Sequence, residues 1–358
     1  MNVEDKIYRE LQEHLDELPI GFPSTESGVE IRILKHLFTP EEAKLATQLY
    51  HEPKRLEDIY KCIQNGLSIK ELEQVLDHMM YKGAIWREVK DGEKYYGNAM
   101  LVIGMYEFQV ERLTEDFLVD IVQYAEEAFA EELYRTKIPQ LRTVPVGESI
   151  TFEHNVSTYD DSRQIIENIG GKIAVANCIC KQAMDVMGLK CGQTSLRETC
   201  LLFGDIAEHY LHLGIARPIT KEEALDILKQ AEEAGLVLQP ENTQQPRAIC
   251  CCCGDCCGIL RLVKQYPRPV ELFASNYHSE IDSELCTGCE TCADICQLEA
   301  ITMVDSIATV NLDRCIGCGN CVASCLDAAI QLRKKEEELI PPPSSESLYE
   351  NILAKKVA

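Results

Sequence analysis

No stretch of this sequence approaches the ~18 consecutive apolar residues of a membrane span. The first ten residues, MNVEDKIYRE, also lack the basic and apolar regions of a secretory signal. The expected location is therefore the cytoplasm, with no membrane partner. The common phosphate-binding and hydrolytic fingerprints are missing as well, because there is no G-x-x-x-x-G-K-[ST], no G-x-S-x-G and no H-E-x-x-H. Gly170-Gly171 precedes a strand pattern instead of following one, so it is no dinucleotide fingerprint, and nothing points to flavin or nicotinamide. Positive charge is scarce. Lys+Arg 35 against Asp+Glu 59 gives a formal net charge of −24, which argues against tight binding to a nucleic-acid backbone. Cysteine, by contrast, is abundant, with 19 in 358 residues. In a reducing compartment so many thiols are poor candidates for disulfides, and metal ligation becomes the default reading.

The length suggests two or three domains, and the cysteines divide the chain. Residues 1–177 hold one, Cys62, which fits a small core side chain. Residues 178–257 hold ten and residues 286–325 hold eight. Boundaries are expected near 140–177 and near 265–284, the second marked by Pro267, Pro269 and the polar run Ser275 to Ser279. After Lys335 the chain is charged and then Pro-rich (Pro341-Pro342-Pro343), which predicts an extended segment without a core.

The strongest signal is an internal duplication. Cys286-x2-Cys289-x2-Cys292-x3-Cys296 recurs 29 residues later as Cys315-x2-Cys318-x2-Cys321-x3-Cys325, and each copy is followed by Ala-Ile. Three cysteines two residues apart can aim their sulfurs into one tight loop, and Gly288 and Gly317 suit the turns. Between the copies, residues 300–304 and 307–312 predict a β-hairpin. A pair of four-cysteine zinc sites is the plainer alternative. Zinc usually takes two separated C-x2-C pairs, which fits this array poorly.

This segment resembles the bacterial 2[4Fe–4S] ferredoxins. The resemblance implies a βαββαβ-type dicluster domain in which Cys286, Cys289, Cys292 and Cys325 hold one cubane. Cys315, Cys318, Cys321 and Cys296 would hold the other. The family usually has proline after the fourth cysteine; here Gln297 and Leu326 stand there, a change that removes no ligand.

The middle segment is read from its thiols. Lys172 to Cys180 predicts a short buried strand ending in Cys178-Ile-Cys180; in an extended chain these two side chains point the same way. Cys191 lies in a Gly-flanked loop. Cys200 is expected to open a helix running to Leu213, and Thr220 to Glu223 reads as a capping box for a second helix. Then come Cys250, Cys251, Cys252, Cys253, Cys256 and Cys257. Four of these thiols suffice for one further iron–sulfur cluster, drawn from Cys178, Cys180, Cys191, Cys200, Cys250, Cys252, Cys253, Cys256 and Cys257, with zinc or free redox thiols as the alternative. Cys-Cys-Gly at 252–254 and 256–258 is similar to the modules of heterodisulfide-reductase-type proteins that carry noncubane clusters, without the rest of that spacing. The segment as a whole resembles a cysteine-rich domain attached to ferredoxins in anaerobes. His209 and His212, at i and i+3 beside Asp205 and Glu208, are expected on a solvated helix face.

In the N-terminal part, Glu41–Tyr50, Leu56–Ile63 and Ser68–Tyr81 predict three helices, followed by a hairpin around Lys90-Asp91-Gly92. This pattern looks like a winged helix. Its third helix carries Glu71, Glu73 and Asp77 against Lys70, so protein docking is favoured over nucleic acid. Residues 105–135 predict one long amphipathic helix, and 142–146 a strand. The expected fold class is α+β multidomain. It comprises a winged-helix-like docking domain with a trailing helix (1–140), a mixed α/β cysteine-rich domain (141–280), the dicluster ferredoxin domain (281–335) and a Pro-rich tail (336–358). The expected function is iron–sulfur electron transfer in an anaerobe's cytoplasm, with two [4Fe–4S] clusters and at least one further cluster. The partners would be redox proteins, in an oligomer or larger complex. The alternatives are an iron–sulfur oxidoreductase reducing a substrate at an open-site cluster within 178–257, and a redox-sensing winged-helix regulator.

Overall fold

The computed structural model describes residues 3–63, 66–150 and 156–357. They form two compact units, Met1–Thr136 with Glu208–Ala216 and Tyr349–Ala358, and Lys137–Ala207 with Arg217–Leu348.

The first unit opens with α1 (Val3–Asp16) and α2 (Val29–Leu37). It continues through α3 (Pro40–Ala46), β1 (Lys54–Arg55), α4 (Leu56–Cys62), α5 (Ile69–Tyr81), β2 (Ile85–Lys90) and β3 (Glu93–Asn98). The helix starts are chemically marked. Thr39 and Glu42 make a reciprocal capping box ahead of α3, as do Ser68 and Glu71 ahead of α5. On α5 the apolar face Leu72, Leu76, Met79 and Met80 is buried, which fixes its rotation. β2 and β3 pair antiparallel from Ile85↔Asn98 to Lys90↔Glu93, and β1 completes a sheet of order β1-β3-β2. The hairpin turns at Asp91 and Gly92, both at positive φ, as a two-residue turn of this hand requires.

The long helix expected over 105–135 is broken. Glu111 sits at φ 66, Thr114 caps a new start, and the helical parts are α6 (Glu115–Tyr124) and α7 (Ala130–Tyr134) joined by a π-helical turn. His209 is not solvated. It is 2% exposed and its ring stacks on Trp86 at 4.4 Å between centroids, with Phe108 at 4.5 Å. His212 is exposed.

In the second unit, α8 (Ser162–Asn168), β4 (Ile173–Asn177) and α9 (Ile179–Val186) are followed by β5 (Glu198–Phe203) and the start of α10 (Gly204–Leu213), which from Glu208 on belongs to the first unit. β6 (Ala216–Pro218), α11 (Lys221–Glu233), β7 (Val237–Pro240), β8 (Ala248–Cys252) and α12 (Gly258–Val263) complete this part. The strands form one sheet of order β6-β4-β5-β8-β7, with β4–β5, β5–β8 and β7–β8 antiparallel. Val175, Leu201, Leu238 and Ile249 point to one face and pack on Ala224, Leu228 and Ala231 of α11 and on Ile165 and Ile166 of α8. Cys200 therefore lies in a strand and not in a helix. Residues 200–202 pair with β4 on one side and β8 on the other, and Gly204 at φ 62 makes the switch into α10. The expected strand at 142–146 is reduced to single bridges from Leu141, Arg142 and Val144. Arg142 is instead held in a buried pair with Asp160, whose other oxygen accepts from Asn276 at 2.8 Å.

The C-terminal segment runs β9 (Tyr277–Ile281), α13 (Thr291–Asp294), β10 (Ile301–Val304), β11 (Ile307–Val310), α14 (Asn320–Ala323), β12 (Ile330–Lys334). β9 pairs with β12 and β10 with β11, both antiparallel. The tail is not wholly extended. After the prolines, Ser344 caps α15 (Ser345–Val357), which buries Leu348 and Ile352. The run 345–357 contains neither proline nor glycine, so a helix can propagate there. No helix among the described residues is long and apolar enough to cross a membrane.

Candidate metal centres

The repeat in the C-terminal segment builds two pockets. In each copy a glycine between the first two cysteines takes a positive φ, Gly288 at 74 and Gly317 at 66. A Cβ there would meet Ser306 O at 2.3 Å and Tyr277 O at 2.2 Å, so the loop can close only with glycine. The third cysteine of each copy, Cys292 or Cys321, rides on the first turn of α13 or α14. One pocket is lined by Cys286, Cys289, Cys292 and Cys325 with Met303, Ala308 and Ile330. The other is lined by Cys296, Cys315, Cys318 and Cys321 with Ser279, Leu298 and Ile301. Each fourth cysteine thus faces the pocket of the other copy.

Backbone N–H groups aim at the sulfurs. Ala308 N donates to Cys286 Sγ at 3.5 Å, Ala300 N to Cys296 Sγ at 3.2 Å, and Ser279 N to Cys315 Sγ at 3.4 Å. Burial raises the thiols of Cys292 and Cys296 and lifts Cys321 to about 12. Exposed Cys289 is lowered by bonds to Thr291. Four thiols around an apolar pocket with N–H donors on the sulfurs are the donor set of a cubane, and these residues fit one.

In the middle part, six thiols form a contact row. Cys178 touches Cys180, Cys180 touches Cys257, and Cys257 touches Cys252; Cys252 then meets Cys250, and Cys250 meets Cys200. Local structure explains the row. Cys178 is the N-cap residue of α9 with Cys180 in its first turn, and Cys257 is the N-cap residue of α12. Cys200 and Cys250 are direct cross-strand partners, and Cys252 follows two residues later on the same face. Contact with Cys180, and burial, raise Cys178; contacts with Cys180 and Cys252 lower Cys257 to about 5. Lys181 is buried beside this row, its ammonium donating to Thr199 Oγ1 at 2.9 Å and Cys251 O at 3.4 Å. Burial alone would lower this amine, but the thiols of Cys178, Cys253, Cys252 and Cys251 outweigh it and raise it. An ammonium buried beside these sulfurs would offset the negative charge of metal-bound thiolates.

The remaining thiols turn away from this row. Cys251 packs into the core on the α11 side, where burial lifts it to about 12. Cys191, Cys253, Cys256 and Asp255 bring their ligating atoms within 4.8 Å of one another. Asp255, despite partial burial that would raise it, is held near 2 by Cys253 and by the Gly192 N–H. Sequence reasoning missed Asp255 and Lys181. A carboxylate inside Cys253-Gly-Asp-Cys256 was the available signal for the first; nothing in the pattern marked the second.

The ferredoxin-like segment is bonded to the middle part. Gln297 Oε1 accepts from Gly254 N at 2.6 Å while its Nε2 donates to Gly235 O at 3.1 Å. Asn320 Nδ2 also donates to Gly235 O, at 2.8 Å. Both side chains adjoin cysteines of the same quartet, Cys296 and Cys321.

Comparison with known proteins assigns the C-terminal segment. A family model described as a 4Fe–4S dicluster domain matches residues 278–326. An uncharacterized ferredoxin of Methanocaldococcus jannaschii is 30% identical over 104 residues, covering 28% of this chain and 58% of the relative. One component of the ion-translocating oxidoreductase complex of Methanosarcina acetivorans is 40% identical over 48 residues, 13% of this chain and 18% of that protein. An iron–sulfur component of the CoB–CoM heterodisulfide reductase of M. jannaschii is 41% identical over 97 residues, 20% of this chain and 15% of that protein. The chain thus spans less than two thirds of each relative. No solved structure matches it. The chain carries an iron–sulfur, ferredoxin-like segment of the kind found in electron-transfer proteins.

Proposed function

We propose that this protein is an electron-transfer protein of an anaerobe's cytoplasm that passes electrons between a docked redox partner and a centre in its own middle domain. Cys286, Cys289, Cys292 and Cys325 would hold one [4Fe–4S] cluster, and Cys296, Cys315, Cys318 and Cys321 the second. The six-thiol row of Cys178, Cys180, Cys200, Cys250, Cys252 and Cys257 would hold a third. Such clusters, when bound, supply one-electron chemistry. The protein's part is to place the sulfurs, exclude water and fix the order of the path. The observation that carries this reading is the pair of bonds from Gln297 and Asn320, which ties one ferredoxin quartet to the backbone of the cysteine-rich turn. The other quartet, with exposed Cys289, is left for a partner.

The N-terminal elements α3, β1, α4, α5, β2 and β3 read as a winged helix used for protein docking. Asp77 on α5 takes up Arg87 at 3.0 Å and Lys94 at 2.6 Å, so the basic groups of the hairpin are already paired within the unit. A second reading, an oxidoreductase, is favoured by one observation: six sulfurs in the row exceed the four that a cubane takes, which leaves two for thiol–disulfide chemistry.

Anaerobic purification followed by iron and sulfide counting tests the proposal. About twelve irons per chain are expected, against about eight for the ferredoxin segment alone. Ala at both Cys178 and Cys180 should lower the count to about eight and remove one EPR signal. An unchanged count would end the case for a third cluster.

A further inference from the structure

We propose that Cys191, Cys253, Cys256 and Asp255 form a separate mononuclear site for a single tetrahedral zinc ion, beyond the electron-transfer clusters. Four ligating atoms drawn within 4.8 Å of one another, one of them a carboxylate oxygen, mark a site for a single ion. Cys191 Sγ stands 3.7 Å from Cys253 Sγ and 3.7 Å from Asp255 Oδ1. Two thiolates on one tetrahedral ion, each at ~2.3 Å from it, lie about 3.8 Å apart. Among the described residues, this is the one set of three or more ligating side chains drawn within 4.8 Å of one another.

The fold keeps this site apart from the six-thiol row. Cys253 and Cys256 belong to the core on the α11 side of the sheet, with Cys191 packed against it. Cys250 and Cys252 point to the opposite face, where Cys200 lies across from Cys250. Each vicinal pair is therefore split. Cys252 and Cys257 serve the row, while Cys253 and Cys256 serve the second site, with the turn Gly254-Asp255 between them. This sorting accounts for two Cys-Cys dipeptides flanking so short a turn.

The carboxylate is oriented like a ligand. Asp255 Oδ2 accepts from Gly192 N at 2.6 Å, which anchors the group and leaves Oδ1 toward Cys191. Three thiolates and one carboxylate are a donor set zinc accepts without a redox role. An ion there would also join the 188–192 loop to the 253–256 turn, so its binding energy would add to folding.

The test uses the full chain, purified anaerobically with iron and zinc supplied and then dialysed against a weak chelator. One zinc per chain is expected beside the iron, with a zinc-edge absorption spectrum showing three sulfurs near ~2.3 Å and one oxygen near ~2.0–2.2 Å. Cys191→Ser should bind zinc at least about tenfold more weakly with the iron count unchanged. Asp255→Cys should keep zinc and convert the shell to four sulfurs, which guards against a variant that merely misfolds. Iron-replete protein without retained zinc, or a zinc shell lacking oxygen in the parent protein, would overturn the proposal. So would a fall in iron on Cys191→Ser, which would give these residues to an iron–sulfur cluster.

Discussion

Gln297 shows what one departure from a pattern can do. Where the ferredoxin pattern usually has proline, this side chain spans two backbone groups, accepting from Gly254 N and donating to Gly235 O, and it is buried. Leu326, at the matching place in the other copy, is fully exposed and has no such task. Gln297→Leu should leave the buried Gly254 N–H unpaired, at about 1–3 kcal/mol, while Gly235 O keeps its bond from Asn320 Nδ2. It should also shift the reduction potential of the Cys296 quartet, read by EPR-monitored titration. Unchanged stability and potential would remove the residue from the path. His209 gives a pH prediction. Burial between aromatic rings lowers it to about 3, below the ~6.5 of an unfolded chain. The unfolded chain therefore binds the proton first, so the stabilisation is complete above pH ~6.5 and is lost as pH falls toward about 3. The loss should run at about 1.4 kcal/mol per pH unit. Trp86, the chain's single tryptophan, stacks on this ring and reports it by fluorescence. His209→Phe should move acid unfolding to lower pH, and an unmoved transition would show that the proton goes elsewhere.

At the level of elements, the exchange of fourth cysteines makes a directional prediction. Cys296 follows α13 in sequence yet lines the pocket of Cys315, Cys318 and Cys321. Cys296→Ala should therefore abolish the EPR signal of the distant quartet and spare the one held by Cys286, Cys289 and Cys292. Loss of the nearer signal would refute the crossed arrangement. These cysteines were legible in the sequence because their spacing is local: a tight loop and one helical turn set it, with glycine where φ is positive. The capping boxes at Thr39 and Ser68 and the Asp91-Gly92 turn were legible for the same reason. The middle thiols were not. Cys200 reads as the start of an apolar helix until β4 and β8 pair on either side of it, and strand alternation then sorts neighbours such as Cys252 and Cys253 to different sites. Likewise the break at Glu111 and the helix after Pro343 depend on local geometry that an apolar pattern does not encode.

Over the whole molecule, charge governs partners. With a net charge of −24, and with Arg87 and Lys94 of the N-terminal hairpin engaged by Asp77 and Lys90 by Glu88, the chain should bind no duplex more tightly than the ~10⁻⁴–10⁻⁶ M of nonspecific contacts at physiological salt. A salt-sensitive nanomolar complex in a mobility-shift titration would revive the regulator reading. The acidity is concentrated where electrons would enter. Residues 269–313 contain nine carboxylates and neither lysine nor arginine. Glu290 and Asp327 line the pocket of exposed Cys289 and are themselves exposed, as are Leu285 and Leu326, the chain neighbours of Cys286 and Cys325 in that quartet. An apolar spot rimmed by one sign of charge suits a basic partner, because the field speeds encounter while the leucines exclude water at contact. Reduction of a basic haem protein, used as a probe acceptor, should slow steeply as ionic strength rises and the Debye length shortens from ~30 Å at 0.01 M to ~8 Å at 0.15 M. Lys at both Glu290 and Asp327 should slow that reaction at least about tenfold at low salt and flatten its salt dependence, with the cluster spectra unchanged. Leu326→Ser should leave the salt dependence intact and weaken the complex by faster dissociation, since it alters contact and not steering. If the charge-reversed variant kept both its rate and its salt slope, electrons would have to enter at another face.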